Sequence, residues 1–205
     1  MSYEIKTISD PSQIGSGNVA DVNVYNWGGS YRPETSAVLC YVKDHGFAVR
    51  LFCREKEPLA THTEPNSRVY EDSCLEFFAN FRPDLKGSGY VNFEGNANGA
   101  MLCFYGSSRE DGERTSILGL GLPHPKPEVF RTDGGWGWRL LIPLDFIRAI
   151  YGSAEYRAGS LIRGNFFKCG DKTAAPHYGS YTKIESPYPN FHRPEYFADM
   201  IITGR

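Results

Sequence analysis

Glu71-Asp72-Ser73-Cys74-Leu75-Glu76-Phe77-Phe78 and, after a short turn, Tyr90-Val91-Asn92-Phe93-Glu94-Gly95-Asn96 are the segments whose reading decides the fold. In each, large apolar residues alternate with polar ones: Leu75 and Phe77 in the first, Val91 and Phe93 in the second. Successive side chains of a strand point to opposite faces. Two strands are therefore predicted, with Asp72, Cys74 and Glu76 on one face of the first and Asn92 and Glu94 on one face of the second. Such a sheet buries its apolar face and leaves carboxylates and amides on the other. That second face suits a hydroxyl-rich ligand better than an apolar one.

The same reading extends along the chain. Tyr3 to Ile8 predicts an edge strand. Residues 37–42 and 47–53 are apolar runs around Lys43-Asp44-His45-Gly46, a hairpin signature. Met101 to Tyr105, Trp136 to Pro143, Leu161 to Lys168 and Phe197 to Thr203 read as further strands. Phe146, Ile147, Ile150 and Tyr151 share one face of a short helix that Gly152 stops. Residues 54–71, 106–135 and 170–195 read as loops. Many strands, one helix and no strand–helix alternation predict an all-β antiparallel sandwich.

Composition agrees. The chain has 205 residues, 40% of them hydrophobic and 22% charged, enough apolar material for the core of one domain over 1–205. Gly and Pro number 22 and 13, which favours turns over long helices. Net charge is -2 with no basic run, so nucleic acid is excluded as a partner. No stretch has the length of a membrane span. The start, Met1-Ser2-Tyr3-Glu4-Ile5-Lys6, lacks a signal-peptide pattern, so the expected location is cytoplasmic, or secreted if a leader has been removed. The five cysteines are odd in number and match no zinc spacing. Cys40, Cys53, Cys74 and Cys103 lie in apolar runs and read as buried hydrophobes. The five histidines are scattered, which argues against a metalloenzyme.

An ordered set of segments resembles the family 9 carbohydrate-binding modules, and particularly their stand-alone branch. The set comprises Val69 to Phe78, Tyr90 to Gly99, Gly137-Trp138-Arg139-Leu140-Leu141-Ile142-Pro143, Ile162 to Lys168, and Asn190-Phe191-His192-Arg193-Pro194-Glu195-Tyr196-Phe197. The resemblance implies an immunoglobulin-like or jelly-roll-type sandwich that binds sugars without cutting them, and calcium sites that stabilise it. It also implies a clamp of two aromatic rings around a sugar. Tyr70 matches the first ring and Glu76 the binding carboxylate. No Trp follows Trp138, so Tyr178, His177 or Phe191 must serve as the second ring. Arg139 departs from the acidic residue common in that strand.

The residues themselves add Asn92, Glu94, Arg163 and Asn165 as hydroxyl readers, because carboxylates, amides and guanidinium groups bond adjacent hydroxyls in pairs. The ligand-binding set expected from sequence is thus Tyr70, Glu76, Asn92, Glu94, Arg163, Asn165, His177 and Tyr178. The competing reading is a solvated face with cross-strand ion pairs. Trp27, Trp136, Tyr181, Tyr188 and Phe191 read as loop aromatics, and Trp138 as core. Glu76 and Glu94 also read as a catalytic pair: carboxyls about 5–5.5 Å apart suit a retaining glycosidase. A glycoside hydrolase, or the accessory subunit of a separate one, is therefore the alternative function. A haem-binding electron carrier is the second, with Met1, Met101 and Met200 among the available ligands. Calcium has candidate ligands in Asp72, Asp84, Asp111, Asp133 and Asp171, without EF-hand spacing.

Overall fold

A computed structural model describes residues 2–109 and 114–204. Among these residues fourteen strands form one hydrogen-bonded sheet, the framework of the fold. In chain order they are β1 (Ser2–Ile8), β2 (Val19–Asp21), β3 (Val24–Gly28), β4 (Thr35–Val42), β5 (Gly46–Cys53), β6 (Cys74–Asn80), β7 (Tyr90–Asn96), β8 (Met101–Gly106), β9 (Thr115–Ser116), β10 (Glu128–Thr132), β11 (Gly135–Pro143), β12 (Leu161–Cys169), β13 (His177–Ser180) and β14 (Ala198–Thr203). Among the described residues the single α-helix is α1 (Leu144–Tyr151). Its C-terminus is the left-handed Gly152 (φ 79°), whose N–H bonds the Arg148 carbonyl. No helix among the described residues is long and apolar enough to cross a membrane.

The main path across the sheet runs β10-β11-β5-β4-β1-β14-β12-β6-β7-β8-β9. Its two arms face each other. Leu39, Val49, Leu51 and Trp138 of one arm pack with Leu75, Phe77, Phe93 and Phe166 of the other in a single core. The alternation in β6 and β7 builds this core directly, because Leu75, Phe77, Val91 and Phe93 all point inward and are fully buried. Each such side chain contributes about 1.5–3 kcal/mol on burial. The two arms touch closely where the Trp138 indole N–H donates to the Leu75 carbonyl at 3.1 Å.

Several expectations need correction. β1 is not an edge strand. It lies between β14 and β4 and is parallel to both, so the sheet is mixed rather than wholly antiparallel. Its buried residues Tyr3, Ile5 and Ile8 tie the two ends of the chain into the middle of the sheet. The span read as the loop 106–135 contains β9 and β10, and the loop 170–195 contains β13. β13 is four residues long and pairs with β3 through an irregular register, so it carries no recognisable alternation. Trp27 belongs to β3 and Trp136 to β11; neither is in a loop. Met101 and Met200 are sealed in the core, which removes them as haem ligands.

Candidate functional site

Strand register assembles the site. Glu76 of β6 stands directly opposite Glu94 of β7, and Phe78 opposite Asn92. β8 continues the rows with Leu102 beside Glu94 and Phe104 beside Asn92. On the other flank β12 places Phe167 beside Glu76 and Cys169 beside Cys74. All of these project to the sheet face away from the main core. The face is not the solvated one of the competing reading. Glu76, Asn92 and Glu94 are buried, and Phe78 and Phe167 beside them belong to a second apolar cluster on this face.

Those loops leave a cleft of about 560 Å³. Its floor is Glu76, Phe78, Asn92 and Glu94. Tyr70 and Tyr178 form part of its wall, with Phe191 and His192 on the segment before β14 and Arg109 and Arg114 on the segment after β8. The volume falls within the ~300–1,000 Å³ typical of small-molecule sites. Tyr70 is held in place from below. The Asp72 carboxylate accepts bonds from the Thr61 N–H (2.9 Å), the Thr61 hydroxyl (2.7 Å), the His62 N–H (3.0 Å) and the Asn96 amide (2.8 Å). This stitches the segment before β6 to the end of β7.

A polar chain crosses the floor. The Asn92 amide donates to Glu94 at 2.8 Å, and the Arg114 guanidinium donates to the Asn92 oxygen. Arg114 also lies over the Tyr90 ring at 4.3 Å. Burial pushes the Glu94 carboxyl up to about 7, against the pull of Asn92 and Arg114. Burial, with the nearby Cys169 and Glu94, pushes Glu76 well above the usual carboxylate range. His192 shares a hydrogen bond of 2.8 Å with the Tyr90 hydroxyl, and burial beside Arg114 and Arg109 drives it down to about 3. The cleft thus presents protonated or readily protonated carboxyls, a neutral imidazole and two arginines. These are donors and acceptors of both kinds, framed by rings.

Tyr70, Glu76, Asn92, Glu94 and Tyr178 are brought together here. Arg163, Asn165 and His177 are not. Arg163 is near the far end of β12, ion-paired with Asp199 (3.2 Å) and donating to the Phe197 carbonyl (3.0 Å). Asn165 shares the face but is covered: its amide donates to the Thr182 hydroxyl at 2.7 Å and its oxygen accepts the Thr182 N–H at 3.1 Å. His177 and Tyr178 are consecutive on β13, so only one can face the cleft. His177 turns the other way, 2.7 Å from the Lys168 ammonium and 2.8 Å from the Ala175 carbonyl. Lys168 in turn approaches Glu55 at 3.5 Å, and Glu55 accepts the Trp136 indole N–H at 3.1 Å. This buried network lies outside the cleft. Sequence reasoning missed Arg109 and Arg114, which sit in a Gly- and charge-rich stretch with no periodicity.

Among the described residues the candidate calcium ligands, Asp133 included, do not converge. Asp72 is saturated by protein donors, Asp84 is paired with Arg82 at 2.6 Å, and Asp171 lies beside Tyr178 in the cleft wall. Asp111 lies outside the described residues.

Comparison with known proteins gives a consistent result. The family described as carbohydrate-binding family 9 matches residues 8–202. No curated protein matches the chain. Among solved structures, a protein from Bacteroides uniformis described as a candidate carbohydrate-binding protein is 25% identical, with a TM-score of 0.80 over 98% of each chain. A family 9 module from Caldicellulosiruptor kristjanssonii in complex with cellotriose is 12% identical, with a TM-score of 0.68 over 100% of this chain and 95% of that one. The glucose complex of a family 9 module from the same organism is 12% identical, with a TM-score of 0.70 over 100% and 97%.

Proposed function

Because the chain belongs to carbohydrate-binding family 9, we propose that it is a non-catalytic carbohydrate-binding protein whose ligand, a mono- or oligosaccharide, occupies the cleft over β6 and β7. The observation that carries this reading is the floor itself. Glu76 and Glu94 are register partners, with Asn92 and Arg114 linked beside them, inside a cavity walled by Tyr70, Tyr178 and Phe191. Aromatic faces stack on the C–H face of a sugar ring, while fixed amides, carboxyls and guanidinium groups read its hydroxyls. Tyr178 takes the second-ring role, since it faces the cleft and His177 does not, while the buried Phe191 is already stacked on Phe167 at 4.3 Å. We read the curled sheet as a jelly-roll-type sandwich and the chain as one domain, because β1 and β14 pair with each other near its two ends.

Calorimetry with a panel of mono- and oligosaccharides, glucose and cello-oligosaccharides included, tests the reading. Saturable binding that Tyr70→Ala weakens supports it; unchanged affinity for the best sugar in that variant overturns the site. A separate glycoside hydrolase is a reasonable partner for a module that carries no catalysis.

Glycoside hydrolysis has one observation in its favour, the raised carboxyls of Glu76 and Glu94. A hydrolase also needs one ionised carboxylate as base or nucleophile. Burial here raises both members of the pair, Glu94 to about 7, so neither is held as the firmly ionised partner that this chemistry uses. Turnover of aryl glycosides that disappears in Glu76→Gln would reverse this choice. The aspartates described above do not fit a calcium cage, so no role is derived for that ion.

A further inference from the structure

We propose that Cys74, Glu76 and Cys169 form a binding site for a zinc-like divalent cation in the floor of the cleft. Cys74 and Glu76 are two residues apart on β6 and so share a face. Cys169 of β12 is the register partner of Cys74. One donor atom from each of the three therefore meets at a single point, all within 4.8 Å of one another and all buried. Among the described residues no other group of three metal-ligating side chains converges in this way. Zinc lies about 2.3 Å from sulfur and about 2.0–2.2 Å from oxygen in a tetrahedron, so the three donors need only a small contraction to close on it.

The donor set selects the metal. Two thiolates and one carboxylate suit a borderline-soft ion such as zinc, whereas calcium and magnesium require oxygen cages. The surroundings also favour an ion. Glu76 is 2% exposed, and the hydrogen-bond donor nearest its carboxyl is the weakly donating Cys169 thiol at 2.9 Å. In the ionised form a buried carboxylate is stable only where it is paired with a cation or coordinates a metal. The arginines of the cleft serve Glu94 and Asn92 instead. Binding displaces the thiol protons of Cys74 and Cys169 and the carboxyl proton of Glu76 to solvent. The cation then carries three anionic ligands and the site a net charge of -1. Glu76 and Cys169 both border the cleft, so the fourth coordination position opens into it and accepts water or a ligand hydroxyl.

The test uses the reduced, tag-free whole chain and cobalt(II) alone as the first probe. One equivalent should bind, with the thiolate-to-cobalt charge-transfer absorption and the visible bands of a tetrahedral ion, and zinc should abolish both. X-ray absorption of the zinc-loaded protein should show two sulfur neighbours at about 2.3 Å. Cys169→Ser should weaken cobalt binding at least about tenfold, the lower end of what losing even a hydrogen-bond partner of a ligand costs. The proposal is overturned by a cobalt spectrum without thiolate character, by zinc surrounded only by nitrogen and oxygen, or by unchanged affinity in Cys169→Ser. A Cys74–Cys169 disulfide as the resting form in reducing buffer overturns it too. Should Cys169→Ser fail to fold, the X-ray absorption of the unaltered protein decides alone.

Discussion

Replacing Asn92 with alanine should damage both stability and sugar binding. Asn92 is 1% exposed and makes two directed contacts across the cleft floor. Its amide donates to Glu94 at 2.8 Å, and its oxygen accepts from Arg114. Bonds to ionisable groups are worth about 1.5–3 kcal/mol each, but the two share a network and do not add in full. Arg114 keeps a longer bond to the Phe104 carbonyl at 3.3 Å, and water from the cleft can enter the space left behind. A net loss of about 2–3 kcal/mol in unfolding free energy follows. Urea unfolding of Asn92→Ala, Arg114→Met and the double variant should show a coupling of at least about 1 kcal/mol, because each single change already breaks the shared bond. Calorimetry should show affinity for the best sugar falling at least about tenfold, since Glu94 loses the group that orients it. A stability loss under about 0.5 kcal/mol, the level of an ordinary surface change, with no coupling, would refute the reasoning.

Three other outcomes are expected. A methyl group added at Gly95 would lie 2.8 Å from the Trp138 indole nitrogen and 3.1 Å from its neighbouring carbon, so Gly95→Ala should cost about 1–3 kcal/mol in thermal or urea unfolding and alter tryptophan fluorescence; an unchanged protein would contradict the contact between the two arms. Burial, then the Lys168 ammonium, lowers His177 from 6.5 to about 4. A lowered folded-state value means that the unfolded chain binds the proton first. Stability should therefore be intact above pH ~6.5 and fall by up to about 3 kcal/mol as pH drops toward 4, and His177→Gln should flatten that part of the profile. Arg163→Ala, at the far end of β12, should leave sugar affinity unchanged within about twofold, and a larger drop would place the ligand elsewhere.

The strands that build the core were legible because their alternation is regular. Leu75 and Phe77 with Val91 and Phe93 gave β6 and β7, the two runs around Asp44 gave the β4–β5 hairpin, and Gly152 marked the end of α1. The opposed carboxyls on one face followed from the same alternation. What alternation does not encode is which strands become neighbours. The parallel pairing of β1 with β4 and β14, and the meeting of Cys74 with Cys169, depend on register between distant segments. Local periodicity also does not report covering loops. Asn165 has the right face and the right chemistry, yet the segment around Thr182 closes over it. His177 was grouped with Tyr178 because β13 was read as loop; once it is a strand, the two must diverge. Arg114 lies in a stretch without pattern, and only the fold shows its reach to Asn92.

Titration of the isotope-labelled protein with its best sugar, followed by backbone amide chemical shifts, tests the central placement of the ligand most directly. The shifts should concentrate at Tyr70, Glu76, Asn92, Glu94, Tyr178 and the segment 190–192. Shifts gathered instead around the groove between Leu122 and Phe146, with the β6–β7 amides unmoved, would contradict it.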